Sequence, residues 1–543
     1  MATMMPRRDF LRIAGGAGAA ASVLGPRVSW AGSESRPARR QSDFPWLEWS
    51  IVELRGAMAA GELTCLELTR RYIDRIATVD WAGPRINSVL ELNPDAEQIA
   101  RELDAEEQNG VVRGPLHGIP VLLKDCIATA DGMQTTAGSL ALVGARSPED
   151  AHAAANLRRA GALLLGKANM SEWNAFRGWP LHGGWCGRAG IGLNPYALSF
   201  STGDSSSGSA AAVSANLAAG AVGLETYGSI IMPSSLCGVV GLKPTRGLVD
   251  RSGTIPISFS RDELGPIGRS VSDVAVILQG LTFDDPSRRA GQPASVDYLS
   301  HLDRNGLRGA RIGVWRKHDV WKDPGSAAIE KLLPVLEAMG AHIVDDVELP
   351  DWIEATGHHI TVMFREFRTG INRYLAALEN SPVHTLGEVI EFNRDHKEQE
   401  LRWHKHNILS DANEQPPLSA PGYHKALVQS EKLGRQAILT PMRRHRLDAI
   451  VCPTFVRPWE INMLDGDPVV GNGAAGPANA AGFPHITVPA GFVDGLPVGV
   501  SFMGRAWEES KLLKFGYALE QRLQARRTPG FVDTNPAANF VPR

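Results

Sequence analysis

Residues 201–224 read STGDSSSGSAAAVSANLAAGAVGL. The first half has the composition of a flexible spacer, crowded with Ser and Gly and without a large apolar anchor. The second half contradicts that reading. AAAVSANLAAGA is dense in small residues, which let backbones approach closely, so an enclosed helix followed by a strand is expected here. On that reading the serines 205, 206, 207 and 209 sit at a helix N-terminus, where backbone N–H groups and hydroxyls converge. The same helix, Gly turn and strand order recurs in DAHAAANLRRAGALLLGKANM (150–170), and GIPVLLKDCI (118–127) reads as a buried strand. LDAIVCPT, FPHITVPAGF and LPVGVSFMG add strand-like runs beyond Asp448, and WEESKLLKFGYALEQRL a closing helix. Alternating strands and helices predict an α/β domain with a central mixed β-sheet covered by helices. The stretch 46–101 reads as helical, interrupted near Gly61, and 288–406 is less regular and richer in charge and aromatics. The chain after Arg526 reads as a loose tail, residues 527–543.

The chain has 543 residues and a formal net charge of −3, which gives no electrostatic case for a nucleic-acid partner. PRRDFLRIAGGAGAAASVLG (6–25) pairs Arg7 and Arg8 with an apolar run ending at Leu24, followed by Ser29-Trp30-Ala31. This reads as a twin-arginine export signal over residues 1–31, which predicts a periplasmic or secreted protein. The run is about a dozen residues, too short to span a bilayer of about 30 Å. No stable membrane insertion is expected after signal removal. The cysteines 65, 126, 186, 237 and 452 are odd in number and lack CxxC spacing, so buried free thiols are expected rather than a disulfide framework or zinc site.

Three segments carry groups able to do chemistry. Lys124 follows Val121, Leu122 and Leu123. If buried it loses charge and becomes a usable base; if it ends the strand in water it is ordinary. The Ser cluster is either a spacer or a wall of hydroxyls. In GLETYGSIIMPSSLCGVVGLKPT (223–245), Gly228-Ser229 either makes a plain turn or brings a Ser hydroxyl and backbone donors close to a substrate carbonyl. The HxH pair His404 and His406 does not share a helix face, so a metal pair is not expected there. His358 and His359 read as surface or lining residues. The aromatics Trp315, Trp321, Trp352, Phe364, Phe367 and Trp403 fit either a cavity lining or an auxiliary core.

Taken together the segments resemble the amidase signature family of serine amidohydrolases. HGIPVLLKDCIATADGMQTTAGSLAL (117–142), GKANMSEW (166–173), GDSSSGSAAAV (203–213), GLETYGSIIMPSSLCGVVGLKPTRGLV (223–249), DELGPIGRSVSDVAVIL (262–278) and NAAGFPHITVPAGFVDGLPVGVSFMGRAWEESKLL (479–513) match its motifs in order. The resemblance implies one catalytic domain over residues 44–526, with 288–406 shaping specificity. It implies a Ser–cis-Ser–Lys triad: Ser229 as nucleophile, Ser205 as relay hydroxyl after a cis Asp204–Ser205 bond, and Lys124 as base. The two serines stand 24 positions apart, as in the family. It implies an oxyanion hole from the backbone N–H groups of Thr226, Tyr227, Gly228 and Ser229, with Gly203, Asp204 and Ser206 in support. It implies no metal or organic cofactor, a small-molecule amide substrate with carbamates and esters as further candidates, and a monomer or homodimer. The alternatives are an amidase component of a glutamine-dependent amidotransferase and a catalytically silent binding member of the fold. Three residues depart from the family pattern: Asp204 for Gly, Tyr227 for Gly or Asp, and Ile231 for Arg. The last two are expected to reshape the pocket.

Overall fold

The computed structural model describes residues 44–283, 296–468 and 473–533. The export signal read in residues 1–31 lies outside them. Val121, Leu122 and Leu123 form the middle of strand β2 (Pro120–Lys124), every residue of which is buried. A strand apolar on both faces needs neighbours on both edges and cover above and below. β2 accordingly pairs in parallel with β3 (Leu163–Ala168) on one side and β4 (Gly220–Glu225) on the other. β1 (Val89–Leu92) adds to β3, antiparallel. Beyond β4 the sheet runs through β6 (Glu263–Gly268), β5 (Val240–Lys243), β10 (His485–Val493), β11 (Leu496–Met503), β9 (Ala449–Pro453), β7 (Arg311–Val314) and β8 (His342–Val344). The result is a mixed sheet of 11 strands flanked by helices. The described residues from Trp46 onward form one compact unit.

The Ser-rich stretch leads into the helix Ser207–Ser214, all eight residues of which are buried. Gly208 faces backbone: a Cβ there would lie 2.3 Å from Asn169 O and 2.6 Å from Ser88 O. Small residues are what allow this approach, and the segment is a packed wall.

Two expectations need correction. Val89–Leu92 is a strand inside the stretch read as helical. Four residues are too few for a period to decide, and pairing with β3 supplies what local sequence does not. The described part of the tail is also held: Tyr196 Oη donates to Arg527 O, and Leu198 N donates to Val532 O at 2.9 Å. The less regular region contains the 24-residue helix Trp352–Leu375, which packs on the helix Tyr423–Arg444.

Gly208→Ala is expected to destabilise the protein by about 1–3 kcal/mol through overpacking. Gly56→Ala, on an exposed helix face with nothing within 4 Å, is expected to be neutral or stabilising by up to about 1 kcal/mol. Urea unfolding of both variants checks the contrast.

Candidate active site

Lys124 ends β2 with no solvent exposure. Its Nζ donates to Ser205 Oγ at 2.6 Å and to Leu224 O at 3.0 Å. Burial lowers its pKa below the usual lysine value, opposed by Cys126, Asp204, Asp262 and Glu225. Its water-facing alternative is thereby excluded. Ser205 is fully buried at the approach to the helix Ser207–Ser214. Gly203, two residues earlier, holds φ +90°, and a Cβ there would lie 2.7 Å from Leu236 Cδ1. Ser206 ties the two serine segments together. Its N–H donates to Ser229 O at 3.2 Å and its Oγ to Leu224 O at 3.3 Å.

Ser229 follows Gly228, whose φ of +91° turns the chain from β4 into the short helix Ile231–Leu236. Thr226, Tyr227, Gly228 and Ser229 make up this turn. Three residues to which sequence reasoning gave no such part hold it, and one of them, His359, read as surface or lining, is buried and does not line the cavity. Glu225 Oε2 accepts from the backbone N–H of Ile230 at 2.8 Å and of Ile231 at 3.1 Å. Asp262 accepts from Thr226 Oγ1 at 2.5 Å and from the N–H groups of Ile257 and Ser258. Burial pushes its carboxyl up to about 7. His359, on the helix Trp352–Leu375, donates from Nε2 to Thr226 O at 2.8 Å. Burial, with the nearby Arg261 and Arg246, lowers its imidazole pKa well below the usual histidine value. Glu225 and Asp262 stand inside quoted motifs, but only the folded turn reveals what they accept.

Two details differ from the expected arrangement. Among the described residues the one cis peptide bond is Trp179–Pro180, so Asp204–Ser205 is trans. Trans is the low-energy form of a non-proline bond, and Ser205 reaches Lys124 from it. The Ser229 hydroxyl also donates to Asp204 Oδ2, at 3.0 Å, rather than to Ser205. Burial pushes the Asp204 carboxyl up to about 6, against the pull of Lys124 and the Ser229 hydrogen bond.

Ser229 opens onto a cavity of about 160 Å³. Phe176, Trp179, Leu181, Met363, Phe364 and Trp459 give it an apolar wall, and Tyr227 lines it as expected. Ile231 is buried in its helix and is not among the lining residues. Of the middle-region aromatics, Phe364 lines the cavity, while Trp315 and Trp352 pack edge to face at 5.2 Å in the core. His404 lines it too, with Nε2 bound to Gly178 O at 3.0 Å. No cluster of three or more His, Cys, Asp or Glu among the described residues is arranged to hold a metal ion. All five cysteines are free and buried. Cys237 has its thiol pushed up by burial, the opposite of an activated nucleophile. A larger cleft of about 1040 Å³ is lined by Arg246, Arg251 and Arg373 and does not include Ser229 or Ser205. Among the described residues no helix is long and apolar enough to cross a membrane.

The amidase family model matches residues 67–513. A probable amidase of Arabidopsis thaliana is 36% identical over 512 residues, covering 91% of this chain and 94% of that protein. The crystal structure of the native peptide amidase of Stenotrophomonas maltophilia superposes with a TM-score of 0.84 at 44% identity, covering 90% of this chain and 99% of that one. A glutamyl-tRNA(Gln) amidotransferase component of Symbiobacterium thermophilum is 33% identical, covering 87% of this chain and 96% of that protein. With the strand order, the buried Lys124–Ser205 contact and the Gly228-Ser229 turn, these matches show that the chain belongs to the amidase family, whose members hydrolyse amide C–N bonds.

Proposed function

We propose that the protein hydrolyses small uncharged amides with an apolar or aromatic group beside the scissile carbonyl, through an acyl-enzyme on Ser229. The observation that carries this is the Lys124 Nζ–Ser205 Oγ contact of 2.6 Å, buried in the wall next to Ser229. A Ser hydroxyl attacks an amide only when a base takes its proton. A lysine with a lowered pKa is such a base, and Ser205, which accepts from its Nζ, is the hydroxyl proposed to relay the proton. Ser205 returns it to the leaving nitrogen, and water then hydrolyses the ester on Ser229. Backbone N–H groups of Thr226, Tyr227, Gly228 and Ser229 are the proposed oxyanion donors, each worth about 2.7–4 kcal/mol in the transition state.

The cavity argues for the substrate class. Its described lining includes no Lys or Arg, while Asp204 and Asp467 both face it. A free carboxylate near the scissile bond meets repulsion there, and an uncharged amide does not. The aromatic wall favours an apolar side chain. Peptide C-terminal amides and aryl amides fit; glutamine, whose α-carboxylate needs a cation, fits poorly. This weighs against a role within an amidotransferase. Export to the periplasm is part of the proposal and rests on Arg7-Arg8, the apolar run and Ala31.

Ammonia release from N-acetylphenylalaninamide is expected to exceed release from glutamine, and the reverse order contradicts the substrate reading. Ser229→Ala is expected to reduce kcat to background and Lys124→Ala to lower it by about 10²–10⁴. Because the base works deprotonated, kcat/KM is expected to rise from the acid side as pH increases. An acid optimum with loss above neutrality contradicts the mechanism. Mass spectrometry of the chain recovered from a periplasmic fraction is expected to show an N-terminus near residue 32. An intact Met1 terminus, or retention in the cytoplasm, contradicts export.

A further inference from the structure

We propose that Asp204 is a second proton acceptor for the Ser229 hydroxyl, acting beside the Lys124–Ser205 route; this rests on the reading of Ser229 as nucleophile. Ser229 Oγ donates to Asp204 Oδ2 at 3.0 Å, whereas Ser205 Oγ is engaged by Lys124 Nζ. Asp204 and Ser229 line the same cavity, so the carboxylate borders the space that a leaving amine crosses.

Asp204 is also coupled to Lys124. Each favours the charged form of the other. With one proton between them, the pair is either an amine with a carboxylic acid or an ammonium with a carboxylate. In the first form Lys124 accepts through Ser205. In the second Lys124 is protonated and cannot accept, but the carboxylate already touching Ser229 can. The site holds a base in both forms. Burial moves the Asp204 carboxyl up to about 6, making it a stronger base than an exposed aspartate while leaving it ionised at neutral pH. Lys124 lowers this value and Glu225 raises it. Asp262 acts on Lys124. Across the cavity His182 and His404 have lowered values, Asp467 a raised one and Tyr227 one near 12, and none of the four stands among the largest influences on Asp204.

The step balances. The Ser229 O–H bond breaks, its proton passes to Asp204 Oδ2, and Oγ bonds to the amide carbon as the C=O π pair moves onto oxygen. Asp204 then protonates the nitrogen and the C–N bond breaks, giving amine and acyl-Ser229. In the second half Asp204 takes a proton from the attacking water and returns it to Ser229 Oγ.

The test is the pH profile of kcat/KM for ammonia release from N-acetylphenylalaninamide, for the native chain, Asp204→Asn, Lys124→Ala and the double variant. The native profile is expected to show an acid limb near 6. Asp204→Asn is expected to lose that limb and about 10- to 100-fold of the rate at neutral pH, with Asp204→Glu restoring part of both. Lys124→Ala is expected to stay at least about ten-fold faster than the double variant. Asp204→Asn with the native rate and limb overturns the proposal, as does a double variant no slower than Lys124→Ala. The native profile needs no substituted chain: absence of a limb near 6 also overturns it. Activity persisting in Ser229→Ala overturns the nucleophile reading instead.

Discussion

A lysine side chain inside a β-sheet is the constraint on which the rest of the site depends. Lys124 extends from a strand that is apolar on both faces, into a region without water contact. An isolated ammonium there is costly, so the group sheds charge or gathers partners. Burial lowers its pKa, and its Nζ donates hydrogen bonds to Ser205 Oγ and Leu224 O. Those partners exist because the helix Ser207–Ser214 lies close against its neighbours, and Gly208 permits the approach to Asn169 and Ser88. The serine-rich stretch is thus both packing surface and chemical surface.

Around this lysine the chain buries carboxyl groups, and two of them hold the nucleophile's turn. Glu225 collects two backbone N–H groups at the start of the helix after Ser229, and Asp262 ties Thr226 to the Ile257–Ser258 loop. Both carboxyls are raised by burial. They fix the turn from below while His359 fixes the Thr226 carbonyl from the helix Trp352–Leu375. The nucleophile therefore sits on a turn locked by side chains from three separate segments. Such locking is what a preorganised set of backbone donors requires.

Much of this was legible in the sequence, for identifiable reasons. The apolar run before Lys124 and the small residues after Ser209 have simple physical signatures, strand and close-packed helix, and both are found. Ser205, Ser229 and Lys124 were placed together by motif resemblance, since no local pattern brings residues 124 and 205 into contact. What was not legible depends on distant partners. His359 lies 133 positions from the carbonyl it binds. Val89–Leu92 is a strand only because β3 offers an edge. Asp204 stood out as a departure from the family pattern, but its hydrogen bond to Ser229 exists only in three dimensions.

The central claim is that Ser229 is an activated nucleophile. Intact-protein mass spectrometry after exposure to a fluorophosphonate tests it most directly, on the native chain and on Ser229→Ala. A single adduct on the native chain, absent from the variant, is the predicted result. A folded native chain that takes no adduct, or an adduct that survives Ser229→Ala, would contradict it.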